Sequence, residues 1–405
     1  MTLNRPALAV LGASSFFYVT AETIPVGLLP EIAVGLDVAE SDVGLLLTSY
    51  AVVAAVSTIP LTALTMRVPR HLLLAITMAI FVVSQAAATF APTFLVLVLA
   101  RLICALAHGV FWSVIGPVTA RLAPPGQAGR ATALVFVGNS LAIVLGVPLG
   151  TALGQWLGWR TALGAMVVGG AICVIGLMRV LPKLPPRPHD LNVRPVAQLR
   201  AAIALGRDRQ VLLLCLITAL LVIGHFSAYT YIAPLVRRDA GLEGAGLSLL
   251  LLGYGFVGLI TNYAVGRFVD RRPGTMLVGL LAVLAVSVAL LAPVLGLVPT
   301  VIVTLLWGGA FTAIPVLLAA APLRIAPRAR DAASALYVVA FQIGIGGGAF
   351  LGERMMRAGH LGGLPLVTAG FAVLAIAVVV TVGRRAFPAR LSEEDHHRTE
   401  AQLIG

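Results

Sequence analysis

Residues 93–117, TFLVLVLARLICALAHGVFWSVIGP, form one apolar run that is interrupted only by Arg101 and His108. A helix needs about 20 mostly apolar residues to cross a hydrocarbon core about 30 Å thick, so this run is long enough to span a membrane. Similar runs extend along the whole chain, and we therefore predict an all-α membrane protein with twelve transmembrane helices. The predicted windows are 7–29, 43–65, 71–91, 93–117, 130–153, 161–181, 210–234, 246–268, 274–293, 297–320, 332–354 and 362–383.

The composition agrees with a chain dissolved mainly in lipid. Of 405 residues, 59% are hydrophobic and 11% are charged, and the mean hydropathy is +1.01. A water-soluble domain has no means of burying that much apolar surface. The net charge of +12 comes mostly from arginines in short segments between apolar runs, a pattern typical of membrane topology rather than of a DNA-binding face. We therefore expect a lipid bilayer and no nucleic acid as partner.

The polar segment 182–209 divides the chain into two halves. We predict an amino-terminal six-helix bundle at 1–181, a cytoplasmic linker at 182–209, a second six-helix bundle at 210–384 and a cytoplasmic tail at 385–405. The halves resemble each other, because Leu122–Pro124 and Ile325–Pro327 precede matching helix starts about 200 residues apart. A duplicated six-helix unit with pseudo-symmetry is the expected architecture.

The distribution of basic residues predicts the orientation. If the amino terminus is cytoplasmic, 22 of the 28 basic residues fall in cytoplasmic segments. Because short cytoplasmic loops carry an excess of Lys and Arg, both termini are predicted to be cytoplasmic, in a multi-pass protein of the inner or plasma membrane. The first apolar run is predicted to be an uncleaved span rather than a signal peptide, because it is long and many others follow.

The turn between the second and third helices of each half carries a basic motif. In the second half, GRFVDRRPG (266–274) contains Gly266, Asp270 and Arg271, and the same frame in the first half keeps Arg67 and Arg70 but lacks the glycine and the aspartate. This turn resembles the motif of the major facilitator superfamily, and the resemblance covers essentially the whole chain. An aspartate beside arginines at a helix end can latch two helices in one conformation. We therefore predict gating roles for these five residues, with substrate contact as the alternative.

Other stretches extend this resemblance. Arg101, with Ala105 and Gly109, resembles the family's fourth-helix motif, and Gly146–Gly150 resembles in part a motif of antiporters. TAETIPVGLLPEIA (20–33), LAHGVFWSV (106–114), GHFSAYTYIAPLV (224–236) and GIGGGAFLG (344–352) resemble the drug:proton antiporter-1 group and, within it, the arabinose-type sugar exporters. The resemblance implies a proton-coupled secondary transporter that exports a small polar or amphipathic molecule, a sugar or a drug.

Three ionisable side chains inside predicted spans are candidates for proton coupling: Glu22, Arg101 and His108. A charged group in a span costs about 2.5–3.5 kcal/mol on insertion scales, so it is a functional candidate by default. Counted at about 1.5 Å per residue, Glu22 and Arg101 reach similar depths and can pair. We predict that Glu22 carries the proton and that Arg101 and His108 assist. A static buried salt bridge, or a carboxylate facing an outer vestibule, is the alternative.

A second set of side chains is predicted to bind substrate, because each combines a ring or an amide with a position inside a span. Trp112 follows His108, and Tyr229 follows His225, by one helical turn, so each pair shares a face. Packing and hydrogen bonds between helices are the alternative roles. The set is His108, Trp112, Asn139, His225, Tyr229, Asn262, Trp307 and Gln342.

The other function classes are an importer or facilitator on the same fold and an intramembrane enzyme. An enzyme is disfavoured because the sequence has no nucleophile and base pair, no HExxH motif and no phosphate-binding loop. Cys104, Cys173 and Cys215 lie in apolar runs without metal-ligand spacing, and we expect them to pack. No cofactor or metal is expected; the partners are a small-molecule substrate, protons and the bilayer, and the protein is expected to be a monomer.

Overall fold

A computed structural model describes residues 4–123, 128–186, 195–266, 273–326, 330–383 and Phe387. Every regular element in these ranges is helical. The helices are α1 Arg5–Gly27, α2 Leu29–Leu36, α3 Glu40–Leu64, α4 Arg70–Thr89, α5 Phe94–Arg121, α6 Ala128–Leu141, α7 Val147–Leu157, α8 Trp159–Val180, α9 Pro195–Leu205, α10 Arg209–Tyr229, α11 Ile232–Ala240, α12 Gly244–Gly266, α13 Pro273–Ala289, α14 Leu297–Ile325, α15 Arg330–Arg357 and α16 Leu364–Thr381. A π-helical turn, Ala142–Gly146, joins α6 to α7, and a 3₁₀ turn, Leu361–Gly363, precedes α16.

The predicted membrane fold is confirmed by the lengths of these helices. Within the described ranges, 11 helices are long and apolar enough to cross a membrane, and Pro273–Ala289 is a shorter apolar helix of 17 residues in the place of the ninth predicted span. The π-helical turn continues α6 into α7, so these two helices form one span, the fifth. The protein is therefore an all-α, multi-pass membrane protein.

The chain divides into two compact units, Met1–Ala201 and Ala202–Gly405, called here the amino-terminal and carboxy-terminal units. The same pairs of spans pack in each unit. In the amino-terminal unit the first span packs on the fifth, the second on the fourth, and the third on the sixth; in the carboxy-terminal unit the seventh packs on the eleventh, the eighth on the tenth, and the ninth on the twelfth. This repeated packing is the structural form of the duplication seen in the sequence.

Two predicted spans end earlier than expected and are followed by short helices. The window 7–29 divides at Leu28 into α1 and α2, and the window 210–234 divides after Tyr229 into α10 and α11. A proline lies near the start of each short helix: Pro30 in α2 and Pro234 in α11. Proline lacks the N–H that a continuous helix needs, but it is tolerated in a first turn, so a break just before it is favoured. The segment 182–209, predicted as a linker, contains the helix α9.

Glycine allows close contact between helices in each unit. A Cβ atom added to Gly138 in α6 would lie 1.9 Å from the carbonyl oxygen of Gly12 in α1, and one added to Gly348 in α15 would lie 2.4 Å from the carbonyl oxygen of Ile223 in α10. No larger residue fits at these positions unless the helices separate. Close approach through small residues is how spans associate where lipid supplies no hydrophobic drive between them.

Candidate functional site

Arg101 on α5 is buried and bonded to the main chain of α1. Its guanidinium donates to the carbonyl oxygen of Ala21 at 3.0 Å and to that of Glu22 at 3.1 Å, and the residue is 2% exposed. The Ala21 carbonyl is available because its usual helical donor would be the N–H of residue 25, which is Pro25. An arginine thus satisfies a carbonyl that a proline leaves open, and its charge is fixed beside Glu22.

The carboxylate of Glu22 approaches the imidazole of His108. Its Oε2 atom lies 4.0 Å from His108 Nδ1, and the side chains of Glu22 and His108 are 12% and 3% exposed. The hydroxyl of Tyr50 on α3 lies 2.9 Å from the same Nδ1 atom. The helices α1, α3 and α5 therefore bring a carboxylate, a phenol, an imidazole and a guanidinium into one buried cluster. Glu22, Arg101 and His108, predicted together for proton coupling, lie together.

Tyr50 and Cys104 belong to this cluster but were not identified from the sequence. The Tyr50 hydroxyl lies 3.7 Å from Cys104 Sγ, and the Arg101 guanidinium carbon lies 5.2 Å from the centre of the Tyr50 ring. A cation over an aromatic face is attracted by the electron density of the ring. Spacing along one helix relates residues of that helix alone, so it gave no signal for Tyr50, which reaches the site from α3.

Aromatic side chains cover the cluster on the side of α5. Phe111 stacks on Tyr18 with ring centres 4.2 Å apart, and Tyr18 donates its hydroxyl hydrogen to the carbonyl oxygen of Thr77 at 2.9 Å. The half-buried Trp112, predicted to contact substrate, lies with its ring centre 6.2 Å from that of His108. Because these rings are apolar neighbours of the cluster, they lower the local dielectric in which its charged groups interact.

The equivalent region of the carboxy-terminal unit is aromatic. His225 on α10 stacks in parallel on Phe311 with ring centres 3.2 Å apart, and it stacks on Tyr229 at 4.9 Å. Trp307, which is fully buried, donates its Nε1 hydrogen to His225 Nδ1 at 3.1 Å. Because that nitrogen accepts a hydrogen bond, His225 is neutral in this arrangement and carries its hydrogen on Nε2. The predicted substrate residues His225, Tyr229 and Trp307 therefore form one cluster.

Within the part of the chain that the structure describes, two oxygens of α12 are buried without a hydrogen-bond partner: the hydroxyl of Tyr254 and Oδ1 of Asn262. The ring of Tyr254 lies 5.4 Å from that of Tyr229 and 5.9 Å from that of Trp307, measured between ring centres, so this hydroxyl adjoins the aromatic cluster. A buried polar group without a partner is costly, so it is retained where something else binds it or where strain is useful. Tyr254 was not identified from the sequence.

The other predicted substrate and gating residues that the structure describes lie on α6 and α15 or at or near the ends of α4 and α12. Asn139 on α6 is half-buried and Gln342 on α15 is 4% exposed. Gly266 is the last residue of α12, whereas Asp270 and Arg271 lie outside the described residues. Arg67 and Arg70 flank the start of α4.

The turn before α4 is bonded to the segment that leaves the sixth span. The main-chain N–H of Arg70 donates to the carbonyl oxygen of Leu184 at 2.9 Å, and the N–H of Leu184 donates to His71 Nδ1 at 2.9 Å. Arg121, at the end of α5, donates to the carbonyl oxygen of Pro185 at 3.0 Å. The first residues of the predicted linker are therefore attached to two turns at the same end of the unit.

Comparison with known proteins agrees with this architecture. The sequence matches the Major Facilitator Superfamily over residues 11–349. It is 39% identical over 355 residues to the chloramphenicol efflux pump Rv0191 of Mycobacterium tuberculosis (strain ATCC 25618 / H37Rv), covering 85% of this chain and 84% of that protein.

Solved structures share the fold at low sequence identity. The nucleoside transporter NupG superposes with a TM-score of 0.73 at 16% identity, covering 94% of this chain and 99% of that one. A D-xylose-proton symporter superposes with a TM-score of 0.71 at 17% identity, covering 93% of this chain and 97% of that one. The family match over residues 11–349 and the 39% identical relative confirm the predicted resemblance at the level of the superfamily: the chain belongs to the Major Facilitator Superfamily, as a membrane transporter and not an enzyme.

Proposed function

We propose that this protein is a proton-coupled secondary transporter that exports a small polar or amphipathic molecule by alternating access, with Glu22 as the proton carrier. The observation that carries the proposal is the buried cluster in which Glu22 faces His108 while Arg101 is bonded to the main chain beside it. Ionisable groups in a span are expensive and mark ion pathways. The 39% identical relative, an efflux pump, favours export.

Arg101 and Glu22 have different freedom, and this suits the proposed division of roles. The guanidinium is tied to two carbonyl oxygens of α1, so its positive charge moves only with that helix. The Glu22 side chain keeps 12% of its surface exposed and faces the imidazole of His108. A proton that neutralises Glu22 changes the net charge of the cluster, and this change biases which conformation of the transporter is favoured.

We propose that substrate binds at side chains that carry rings or amides. An amphipathic drug such as chloramphenicol offers an aromatic ring for stacking and hydroxyl and amide groups for hydrogen bonds, which suits the aromatic cluster around His225 and the unpartnered oxygens of Tyr254 and Asn262. A sugar would use the same polar groups through its hydroxyls. The proposed set is His108, Trp112, Asn139, His225, Tyr229, Asn262, Trp307 and Gln342, with Arg67, Arg70, Gly266, Asp270 and Arg271 proposed for gating.

Transport into proteoliposomes with an imposed pH gradient tests the coupling and its direction. An antiporter accumulates radiolabelled chloramphenicol or arabinose when the lumen is acidic, whereas a proton-coupled importer accumulates it when the outside is acidic, and a facilitator accumulates it in neither case. We expect accumulation with an acidic lumen. Accumulation under the opposite gradient would overturn the proposal that this protein is an exporter.

Glu22→Gln tests the proton carrier in the same vesicles. The variant is expected to lose gradient-driven accumulation and to keep exchange of labelled for unlabelled substrate, because exchange needs no net proton movement. Glu243→Gln is the matched control, since Glu243 is an exposed carboxylate between α11 and α12. A Glu22→Gln protein that accumulates substrate as the wild type does would end the assignment of Glu22.

A further inference from the structure

We infer that Tyr50 is a positioning residue for proton coupling: its hydroxyl holds His108 Nδ1 as a hydrogen-bond acceptor, and protonation of that nitrogen transfers His108 from Tyr50 to Glu22. The inference rests on the proposed function, because it concerns the pathway of the same proton. It adds Tyr50 on α3 to the residues of α1 and α5 already proposed for coupling. It also explains how protonation of His108 would change the contacts between these helices.

The geometry places one nitrogen between two oxygens. His108 Nδ1 is 2.9 Å from the Tyr50 hydroxyl oxygen and 4.0 Å from Glu22 Oε2. A neutral imidazole has one donor and one acceptor nitrogen, and an imidazolium has two donors, so Nδ1 does not accept from Tyr50 and donate to Glu22 at the same time. At 4.0 Å the carboxylate is about 1 Å beyond hydrogen-bond distance, so contact with Tyr50 is the arrangement observed.

The surroundings of Tyr50 favour its hydroxyl as the donor. Its oxygen lies 3.7 Å from Cys104 Sγ, so while the hydroxyl hydrogen points to His108, the oxygen can accept the thiol hydrogen. Arg101 lies over the Tyr50 ring at 5.2 Å. When Nδ1 takes up a proton, Tyr50 has to become an acceptor or turn its hydrogen towards Cys104. Either change weakens the bond between α3 and α5.

The charges that face His108 make Glu22 the group to which it would move. From α1 it faces Glu22 and the ring of Tyr18, whose centre is 6.2 Å away; from α3 it faces Tyr50; on its own helix α5, Cys104 and Arg101 lie one and two turns before it. Glu22 is the anionic member of this set. An imidazolium at position 108 is therefore attracted to α1, and protonation exchanges an α3–α5 hydrogen bond for an α1–α5 ion pair.

Nitrogen NMR of the full-length protein in lipid nanodiscs tests the exchange without any substrate. With ¹⁵N-labelled histidine, and His108→Gln to assign the signal, we expect Nδ1 of His108 to be unprotonated and Nε2 protonated at neutral pH. Tyr50→Phe is expected to move the protonation midpoint of His108 to higher pH by about half a unit, because losing one hydrogen bond to the neutral form changes its population about threefold. A protonated Nδ1 at neutral pH, or an unchanged midpoint, would overturn the inference.

The control is Tyr18→Phe, which removes a buried hydroxyl from the same region that bonds to Thr77 instead of His108. It is expected to leave the midpoint unchanged. A shift in both variants would indicate a general loss of packing and would also overturn the role of Tyr50.

The pH profile of transport separates this inference from the proposed function. In proteoliposomes, Tyr50→Phe is expected to shift the pH of half-maximal gradient-driven transport in the same direction as the NMR midpoint, while exchange of substrate is retained. If the wild type shows no gradient-driven transport, the proposed function fails whatever the NMR result. If the wild type and Glu22→Gln behave as proposed but Tyr50→Phe keeps the wild-type profile, the inference about Tyr50 alone fails.

Discussion

In the amino-terminal unit the first helix, α1, is held by an arginine, whereas in the carboxy-terminal unit the equivalent helix, α10, is held by an indole. Arg101 on the fourth span donates to the main chain of α1, and Trp307 on the tenth span donates to the side chain of His225 on α10. A tyrosine of the second or eighth span, Tyr50 or Tyr254, adjoins each contact. The duplicated scaffold therefore keeps the position of the contact and changes its chemistry.

We propose that the two units of the duplicated bundle serve two different tasks. The amino-terminal cluster contains a carboxylate, a guanidinium and an imidazole, which exchange or respond to protons. The carboxy-terminal cluster consists of rings around a neutral histidine and adjoins the hydroxyl of Tyr254, which has no hydrogen-bond partner among the described residues. Charges suit coupling to an ion, and rings with unused hydrogen-bonding groups suit an organic molecule. The following changes test where the two units differ and where they are alike.

The largest effect is expected from Arg101→Ala. The change leaves two buried carbonyl oxygens without their charged donor, and we expect the free energy of unfolding to fall by about 3 kcal/mol or more. Pro25→Ala restores an N–H opposite the Ala21 carbonyl, so the double variant should lose less than the sum of the two single changes. Denaturant unfolding in detergent measures all three. Strictly additive losses would show that the arginine does not serve the carbonyl that the proline leaves open.

Trp307→Phe is the matched change in the carboxy-terminal unit. It removes one neutral hydrogen bond and part of a ring, so the expected loss of unfolding free energy is about 1–2 kcal/mol, smaller than that of Arg101→Ala. A loss as large as that of the arginine variant would contradict the contrast between the two contacts.

Similar losses of unfolding free energy are expected in both units at the glycine contacts, because both units pack a glycine against the main chain of a neighbouring helix. Gly138→Ala and Gly348→Ala each place a Cβ atom against a backbone oxygen of the neighbouring helix, and each is expected to cost about 1–3 kcal/mol. Gly279→Ala is the control, because nothing lies within 4 Å of its added Cβ, and it should be neutral or slightly stabilising. Thermal unfolding of the three variants checks this, and a stabilised Gly138→Ala protein would contradict the close packing of α6 on α1.

Smaller effects on the unfolding free energy, which differ between the two units, are expected from replacing Tyr50 and Tyr254 by phenylalanine. Tyr50→Phe removes a hydroxyl bonded to His108 and should lower the unfolding free energy by about 1 kcal/mol. Tyr254→Phe removes a hydroxyl that has no partner, so it should be neutral or stabilising, yet it should weaken binding of substrate if that hydroxyl is kept for it. Unfolding and equilibrium binding measured on the same preparations separate the two cases. Equal losses of stability would remove the distinction.

The smallest effect concerns a charge outside the spans. Burial raises the pKa of Asp239 in α11, although the adjacent Arg238 opposes the shift. An acid whose pKa is higher in the folded than in the unfolded state binds more protons when folded, so its contribution to stability increases as the pH falls from the raised value towards the ordinary one. Asp239→Asn should remove this dependence. A melting temperature with the same pH dependence in both proteins would show that another group titrates there.

The sequence was informative about the spans because apolar length is a property of each segment alone. It was also sufficient to place Glu22 and Arg101 at one depth, by counting residues into two antiparallel helices, and these residues are in contact through the Glu22 carbonyl. The role of Pro25 was also accessible in principle, since a proline within a helix always leaves the carbonyl four residues earlier without its usual donor.

Contacts between helices were not accessible in this way. Tyr50 and Tyr254 lie in apolar runs that give no functional signal, and their importance depends on the neighbours that packing supplies. The breaks before α2 and α11 were also missed, because a window of apolar residues does not distinguish one helix from two that meet at an angle. A sequence indicates how deep a residue lies along a helix, but it does not indicate which neighbour its side chain faces.

The bond between Arg101 and the first helix joins residues 80 positions apart in the chain. During synthesis the first span consequently enters the bilayer before its partner on the fourth span exists, carrying Glu22 and an open carbonyl into hydrocarbon. A charged residue at mid-membrane costs about 2.5–3.5 kcal/mol on insertion scales, which weakens the retention of a lone span. We therefore expect chains truncated before Arg101 to integrate poorly and to be degraded. Chains that include the fourth span are expected to be retained in the membrane.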